Sequence, residues 1–100
     1  MIKILTYFIV ILSLNVFAVT DYAKSVEKLG VQGDKIYFRV KEGFSTNCKW
    51  GNIYFHNNTD FGKAAFASLM AAKATGTVLS RIDYTQATDE SCTLTLVEMN

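Results

Sequence analysis

The two cysteines, Cys48 and Cys92, both stand downstream of an apolar N-terminal run, and that placement limits the chain more than any other feature. The run reads ILTYFIVILSLNVFA after Met1-Ile2-Lys3: one positive charge, an apolar stretch, then Val16-Phe17-Ala18. This is the pattern of a secretory signal peptide, with cleavage expected after Ala18. Thr6, Ser13 and Asn15 interrupt the apolar stretch, which falls short of the roughly 20 residues a membrane-spanning helix needs. The expected product is one domain over residues 19–100, exported to the periplasm or beyond, with no stable membrane anchor after cleavage. In that oxidising setting two cysteines in a small domain read as one disulfide, with a single possible connectivity. It would close a loop of about 45 residues, worth about 4 kcal/mol in the chain-entropy model. A domain of this size often has only about 5–10 kcal/mol in all, so the bond decides whether it folds.

Composition removes several function classes. Setting Lys3 aside, the chain carries 9 basic and 9 acidic residues. A neutral domain lacks the broad basic face of a sequence-blind nucleic-acid binder. Proline is absent, which excludes polyproline and collagen folds. No cofactor motif, nucleophile elbow or phosphate-cradling glycine loop occurs. The single histidine, His56, is not at a zinc-ligand spacing from either cysteine. Asp83, Asp89 and Glu90 read as solvated loop and strand residues rather than a carboxylate site. The triplet Asn57-Asn58-Thr59 matches a glycosylation acceptor but reads as a helix cap. The expectation is a protein that is not an enzyme and binds neither metal nor cofactor.

Hydrophobic periodicity predicts the elements. Residues 25–31 form a weak strand, and Gly33-Asp34 makes a tight turn. Residues 35–41 (KIYFRVK) alternate cleanly, with Ile36, Phe38 and Val40 opposite Tyr37, Arg39 and Lys41, as in a half-buried antiparallel strand. Residues 48–56 (CKWGNIYFH) form a third strand, with a bend or bulge at Gly51. Residues 61–75 form a helix: Phe61, Ala65, Leu69 and Ala72 recur at helical spacing, Asp60 favours the start, and Gly76 is a natural stop. Its many alanines permit close helix approach in an oligomer, but alanine is also simply the best helix former. Residues 77–84 and 92–99 form the last two strands, and residues 19–24 a lead-in. The order β-β-β-α-β-β, mainly β in an α+β setting, is that of a five-stranded OB-like barrel.

One stretch rises above background. If Ile53 and Phe55 face the core, then Trp50, Asn52, Tyr54 and His56 face outward, beside Tyr37 and Arg39 on the neighbouring strand. Aromatic faces can stack on the C–H face of a sugar ring, while amide and basic groups fix its hydroxyls. The same residues suit a protein interface, and a register change at Gly51 would instead send Trp50 into the core.

A cysteine opening the third strand, the helix-to-glycine segment AFASLMAAKATG at residues 65–76, and a second cysteine opening the last strand together resemble the subtilase-cytotoxin B-subunit-like group of small secreted bacterial proteins. The enterotoxin B subunits share the OB-type barrel. The resemblance spans residues 25–99. It implies a non-catalytic subunit, often a ring of five, that binds glycans and accompanies a catalytic toxin subunit. The candidate ligand contacts come from the strand pattern alone. The rival expectation is a small periplasmic structural or inhibitor-type protein that binds another protein.

Overall fold

The computed structural model describes residues 16–100, so all but the last three residues of the expected leader lie outside it. Six strands and one helix follow in the order β1 (Phe17–Lys24), β2 (Val26–Gln32), β3 (Lys35–Val40), β4 (Ile53–His56), α1 (Asp60–Thr75), β5 (Leu79–Gln86) and β6 (Cys92–Met99). The strands make one sheet in the order β1-β5-β6-β4-β3-β2. All neighbours are antiparallel except β4 and β6, where Ile53 pairs with Cys92 and Tyr54 with Thr93 in parallel. The protein is thus mainly β, with one helix and a Cys48–Cys92 disulfide whose Cα atoms lie 5.4 Å apart.

The sheet has six strands rather than five because the lead-in is itself a strand. Phe17 to Lys24 pair with Gln86 to Leu79 of β5. Cleavage after Ala18 would still leave Val19–Lys24 on that ladder. Strands β1 and β2 are the two outer strands of the sheet, yet only Ser25 separates them in the chain. A corner holds this passage. Ala23 takes a left-handed backbone conformation (φ 56°). The Ser25 carbonyl accepts from Lys41 N at 2.9 Å, and Ser25 N donates to Glu42 Oε1 at 2.8 Å. Among the described residues no ladder joins β1 directly to β2.

Alternation on β3 buries Ile36, Phe38 and Val40 as the pattern predicts, and they meet Ile53 and Phe55 of β4, Leu69 of α1, and Ile82, Tyr84 and Leu94 of the last hairpin. Two register shifts explain where strict alternation fails. One falls between Leu79 and Arg81, the other between Asp83 and Tyr84 opposite Leu96 and Leu94. Strict alternation puts Val78 on the face of Ile82 and Tyr84 and Leu79 on the other; instead Leu79 is buried and Val78 exposed. Beyond the second shift Val97 and Met99 pack on the core. An extra residue in one strand turns every later side chain over.

The helix begins at Thr59, whose hydroxyl accepts from Gly62 N at 2.9 Å. It stops at Gly76, left-handed at φ 70°, with Thr77 N donating to Ala72 O at 3.0 Å. Gly62, Ala65, Leu69 and Ala72 form its buried stripe. Gly62 is there for space: a Cβ on it would lie 1.8 Å from the His56 carbonyl oxygen. Helix α1 thus packs its first turn directly on the end of β4.

The loop between β3 and the turn before β4 is held from beneath by a buried carboxylate. Asp21 on β1, only 4% exposed, accepts from Ser45 N and from Tyr84 Oη, each at 2.9 Å. The Ser45 hydroxyl also bonds its other oxygen. Burial pushes the Asp21 carboxyl up, but the Ser45 and Tyr84 hydrogen bonds, helped by Lys24, outweigh it and hold it below the ordinary value.

Two outcomes follow from these contacts. Gly62→Ala gains about 1 kcal/mol of helix propensity, but the clash with a backbone carbonyl exceeds it, for a net loss of roughly 1–3 kcal/mol. Thermal denaturation should show the melting temperature falling, and a rise would mean α1 does not sit on β4. The second concerns pH. A carboxyl depressed in the folded state contributes stability above its unfolded pKa of about 3.9 and loses it as pH falls further. Asp21→Asn should flatten the decline of urea-unfolding stability below about pH 4; an unchanged slope would show that Asp21 is not the carboxylate being titrated.

Candidate functional site

The residues before β4 do not continue it. Lys49–Gly51 make a single tight turn between Cys48 and Asn52. Gly51 N donates to Cys48 O at 2.8 Å, and Asn52 N to Lys49 O at 3.2 Å. Trp50 sits in the left-handed region (φ 58°, ψ 16°) and Gly51 follows it there at φ 72°. For a bulky L-residue this conformation costs about 1–3 kcal/mol and persists only where its surroundings impose it. Here they do. Cys48 is tied to Cys92, and Lys49 N donates to Glu90 O at 2.7 Å. The turn projects Trp50 outward, 71% exposed, which removes the core alternative for this residue.

Around Trp50 the sheet supplies a second aromatic group. Tyr37 and Tyr54 are cross-strand partners with ring centroids 5.8 Å apart. Tyr37 lies over Gly30, its partner on β2, where a Cβ would fall 2.2 Å from Tyr37 Cζ. The glycine thus makes room for the ring. Lys35 Nζ stands 5.5 Å from the centre of the Tyr54 ring, and Lys49 Nζ 4.9 Å from that of Trp50. Lys49 also reaches Asp89 at 3.7 Å. Ser91 donates to Asp89 from its hydroxyl at 2.6 Å and its backbone N at 3.0 Å, and with Lys49 these bonds hold the Asp89 carboxyl below the ordinary value. His56 Nδ1 lies 3.8 Å from Asp34 Oδ1.

Of the expected contacts, Trp50 and His56 are exposed, and Tyr37, Arg39 and Tyr54 are half-buried. Asn52 departs from expectation: it is buried, 7% exposed. The chain leaves the turn in extended conformation at Asn52, one residue before the β3–β4 ladder opens at the Phe38–Ile53 pair. Asn52 Nδ2 contacts the Tyr54 hydroxyl at 3.4 Å. Asn52 Oδ1 and Arg39 Nε are both buried without a hydrogen-bond partner. An orphaned acceptor and an orphaned donor thus flank the end of the β3–β4 ladder, each at a cost of about 1–3 kcal/mol.

Two depressions flank Trp50. The first, about 480 Å³, is lined by Lys28, Val31, Gln32, Tyr37, Trp50, Asn52 and Tyr54. The second, about 410 Å³, is lined by Gln32, Lys35, Lys49, Trp50, Tyr54, Phe55, His56, Asp89, Ser91, Cys92 and Thr93. Sequence reasoning found the aromatic residues and His56 but missed Gly30, Lys35, Lys49, Asp89 and Ser91. The pairing of Gly30 with Tyr37 across a hairpin was the one signal available for these. Asp89 and Ser91 reach the site only through the parallel β4–β6 pairing, which no local pattern reveals. No protein-family model, curated protein or solved structure matches the chain.

The orphaned Asn52 amide gives a direct test of this geometry. Asn52→Leu removes the unpartnered buried Oδ1 together with one long 3.4 Å bond from Nδ2 to Tyr54, and relief of the first should offset loss of the second. Its melting temperature should equal or exceed that of the parent. A fall of about 5 °C or more, roughly 1 kcal/mol in a domain this small, would mean the amide oxygen is paired after all.

Proposed function

We propose that this chain is an exported, non-catalytic binding module whose ligand is a glycan. The observation that carries the reading is Trp50: a large aromatic side chain held in solvent, on a backbone conformation that costs free energy, beside an aromatic pair and a fringe of amide, basic and hydroxyl groups. Flat apolar faces edged by hydrogen-bonding groups match a pyranose ring, whose faces are C–H and whose rim is hydroxyl. The disulfide accords with export to an oxidising compartment.

The same proposal extends to the architecture. The direct passage from β1 to β2 through Ser25 makes the two outer strands halves of one bent strand. Together with the parallel β4–β6 pair and the helix between β4 and β5, this supports an OB-like barrel. A ring of five copies, serving a catalytic toxin subunit, is the assembly that goes with it. A second reading, a periplasmic module that binds another protein, draws on β1, an outer strand whose retained part, Val19–Lys24, carries exposed Tyr22. Such an edge can accept a partner's strand.

Native mass spectrometry of the exported protein followed by a glycan array separates these readings. The glycan reading expects an oligomer with an oxidised disulfide, glycan binding by the parent, and loss of that binding in Trp50→Ala. That variant should keep its melting temperature within about 5 °C, because surface substitutions are usually worth within about 0.5 kcal/mol and most of the Trp50 side chain is already in solvent. Glycan binding undiminished in Trp50→Ala would overturn the site. A silent array with a stable protein partner would favour the second reading.

A further inference from the structure

We infer that the face around Trp50 holds two unlike sugar subsites in series, so that its ligand is a linear oligosaccharide of at least two units and not a single terminal sugar; this rests on the glycan reading above. Gln32, Trp50 and Tyr54 border both depressions. They therefore form a ridge between two adjoining basins rather than the wall of one pocket. Each basin, at about 480 Å³ and about 410 Å³, reaches the volume range of a small-ligand site by itself.

The basins differ in chemistry. The one toward β2 carries exposed Val31 and the Tyr37 ring beside Lys28, Gln32 and Asn52, with no acidic side chain on its lining. The one toward β6 carries the Lys49–Asp89 ion pair, with the Asp89 carboxylate fixed by Ser91. A sugar resting in the first meets Val31 and the Tyr37 ring, edged by the uncharged amides of Gln32 and Asn52 and by Lys28, with no carboxylate to accept from its hydroxyls. A sugar in the second meets paired charges and hydroxyls that select the orientation of its own hydroxyls. Trp50, prominent on the ridge, can stack on either unit or on the linkage that crosses it. A chain whose units occupy both basins gains the second contact intramolecularly, at high effective concentration.

The test is isothermal titration of the full mature protein with the mono-, di- and trisaccharides of galactose, N-acetylglucosamine and mannose. For the sugar that binds, the disaccharide should bind at least tenfold tighter than the monosaccharide. Val31→Tyr fills the first basin and Thr93→Tyr the second. Both positions are exposed on strands, where tyrosine is well accepted. Each variant should abolish the chain-length gain while retaining monosaccharide binding in the open basin. Equal affinity for mono- and disaccharide in the parent overturns the two-subsite inference and leaves the glycan reading standing. That comparison needs neither variant to fold. Absence of binding across the whole series, with a silent array, overturns the glycan reading and this inference with it.

Discussion

The Cys48–Cys92 bond is the constraint on which the rest depends. Cys48 precedes the Trp50 turn, and Cys92 opens β6 at the point where it pairs in parallel with β4. A parallel pair cannot be closed by a short hairpin, and here α1 and β5 intervene between the two strands. The ladder between β4 and β6 is short, with two residue pairs, so hydrogen bonding alone holds it weakly. The disulfide fixes the same junction covalently. It also brings residues 89–91 against the turn, where Glu90 accepts from Lys49 N at 2.7 Å. One bond thereby joins the sheet's single parallel pairing to the most exposed aromatic residue among those described.

A second anchor works from the opposite side of the loop that leads into Cys48. Asp21 takes hydrogen bonds from Ser45 and Tyr84, and the Tyr84 hydroxyl lies 3.3 Å from Thr46 Oγ1. Asp21 belongs to β1, Tyr84 to β5 and Ser45 to the loop, so the cluster ties three segments distant in sequence. Phe44 packs edge-on to Phe38 at 5.8 Å and against Tyr84 at 5.6 Å, covering the polar cluster with aromatic surface. A buried carboxylate is tolerable when its lone pairs are this fully engaged. Between the two anchors the chain has little freedom left, and the left-handed backbone at Trp50 is maintained from both ends.

Local chemistry made some of this legible in the sequence. Helix α1 could be read because its cap, its alanine content and its terminal glycine agree. Strand β3 could be read because alternation runs through it without a bulge, and β6 because its span is bounded by a polar loop. The disulfide followed from compartment and count. What escaped detection depends on partners far away in the chain. Residues 17–24 look like a leader's end and a frayed start, and become a strand only through β5. The faces of Val78 and Leu79, and of Leu96 and Val97, were decided by bulges set by the opposing strand. At the site, alternation extended through Gly51 put Asn52 outside. Two successive left-handed residues, Trp50 and Gly51, interrupt the strand there, and alternation does not carry across them: Trp50 is in solvent as expected, but Asn52 is buried.

The distribution of unfavourable features is itself informative. The helix termini and the Asp21 cluster are well satisfied, with caps and hydrogen bonds in place. Around Trp50 three local rules are broken together: an aromatic residue in left-handed backbone, a buried amide oxygen with no donor, and a buried guanidinium nitrogen with no acceptor. Each costs about 1–3 kcal/mol, a large share of what a domain of this size has to spare. None of them improves packing of the core, which lies on the other side of β3 and β4. Left-handed backbone also occurs at Ala23 and Glu90, but among the described residues only around Trp50 does it coincide with buried unpartnered polar atoms, the combination expected where a face serves something other than stability. That argument reaches the Trp50 face independently of any likeness to toxin B subunits, and it singles out the residues whose shape a ligand would read.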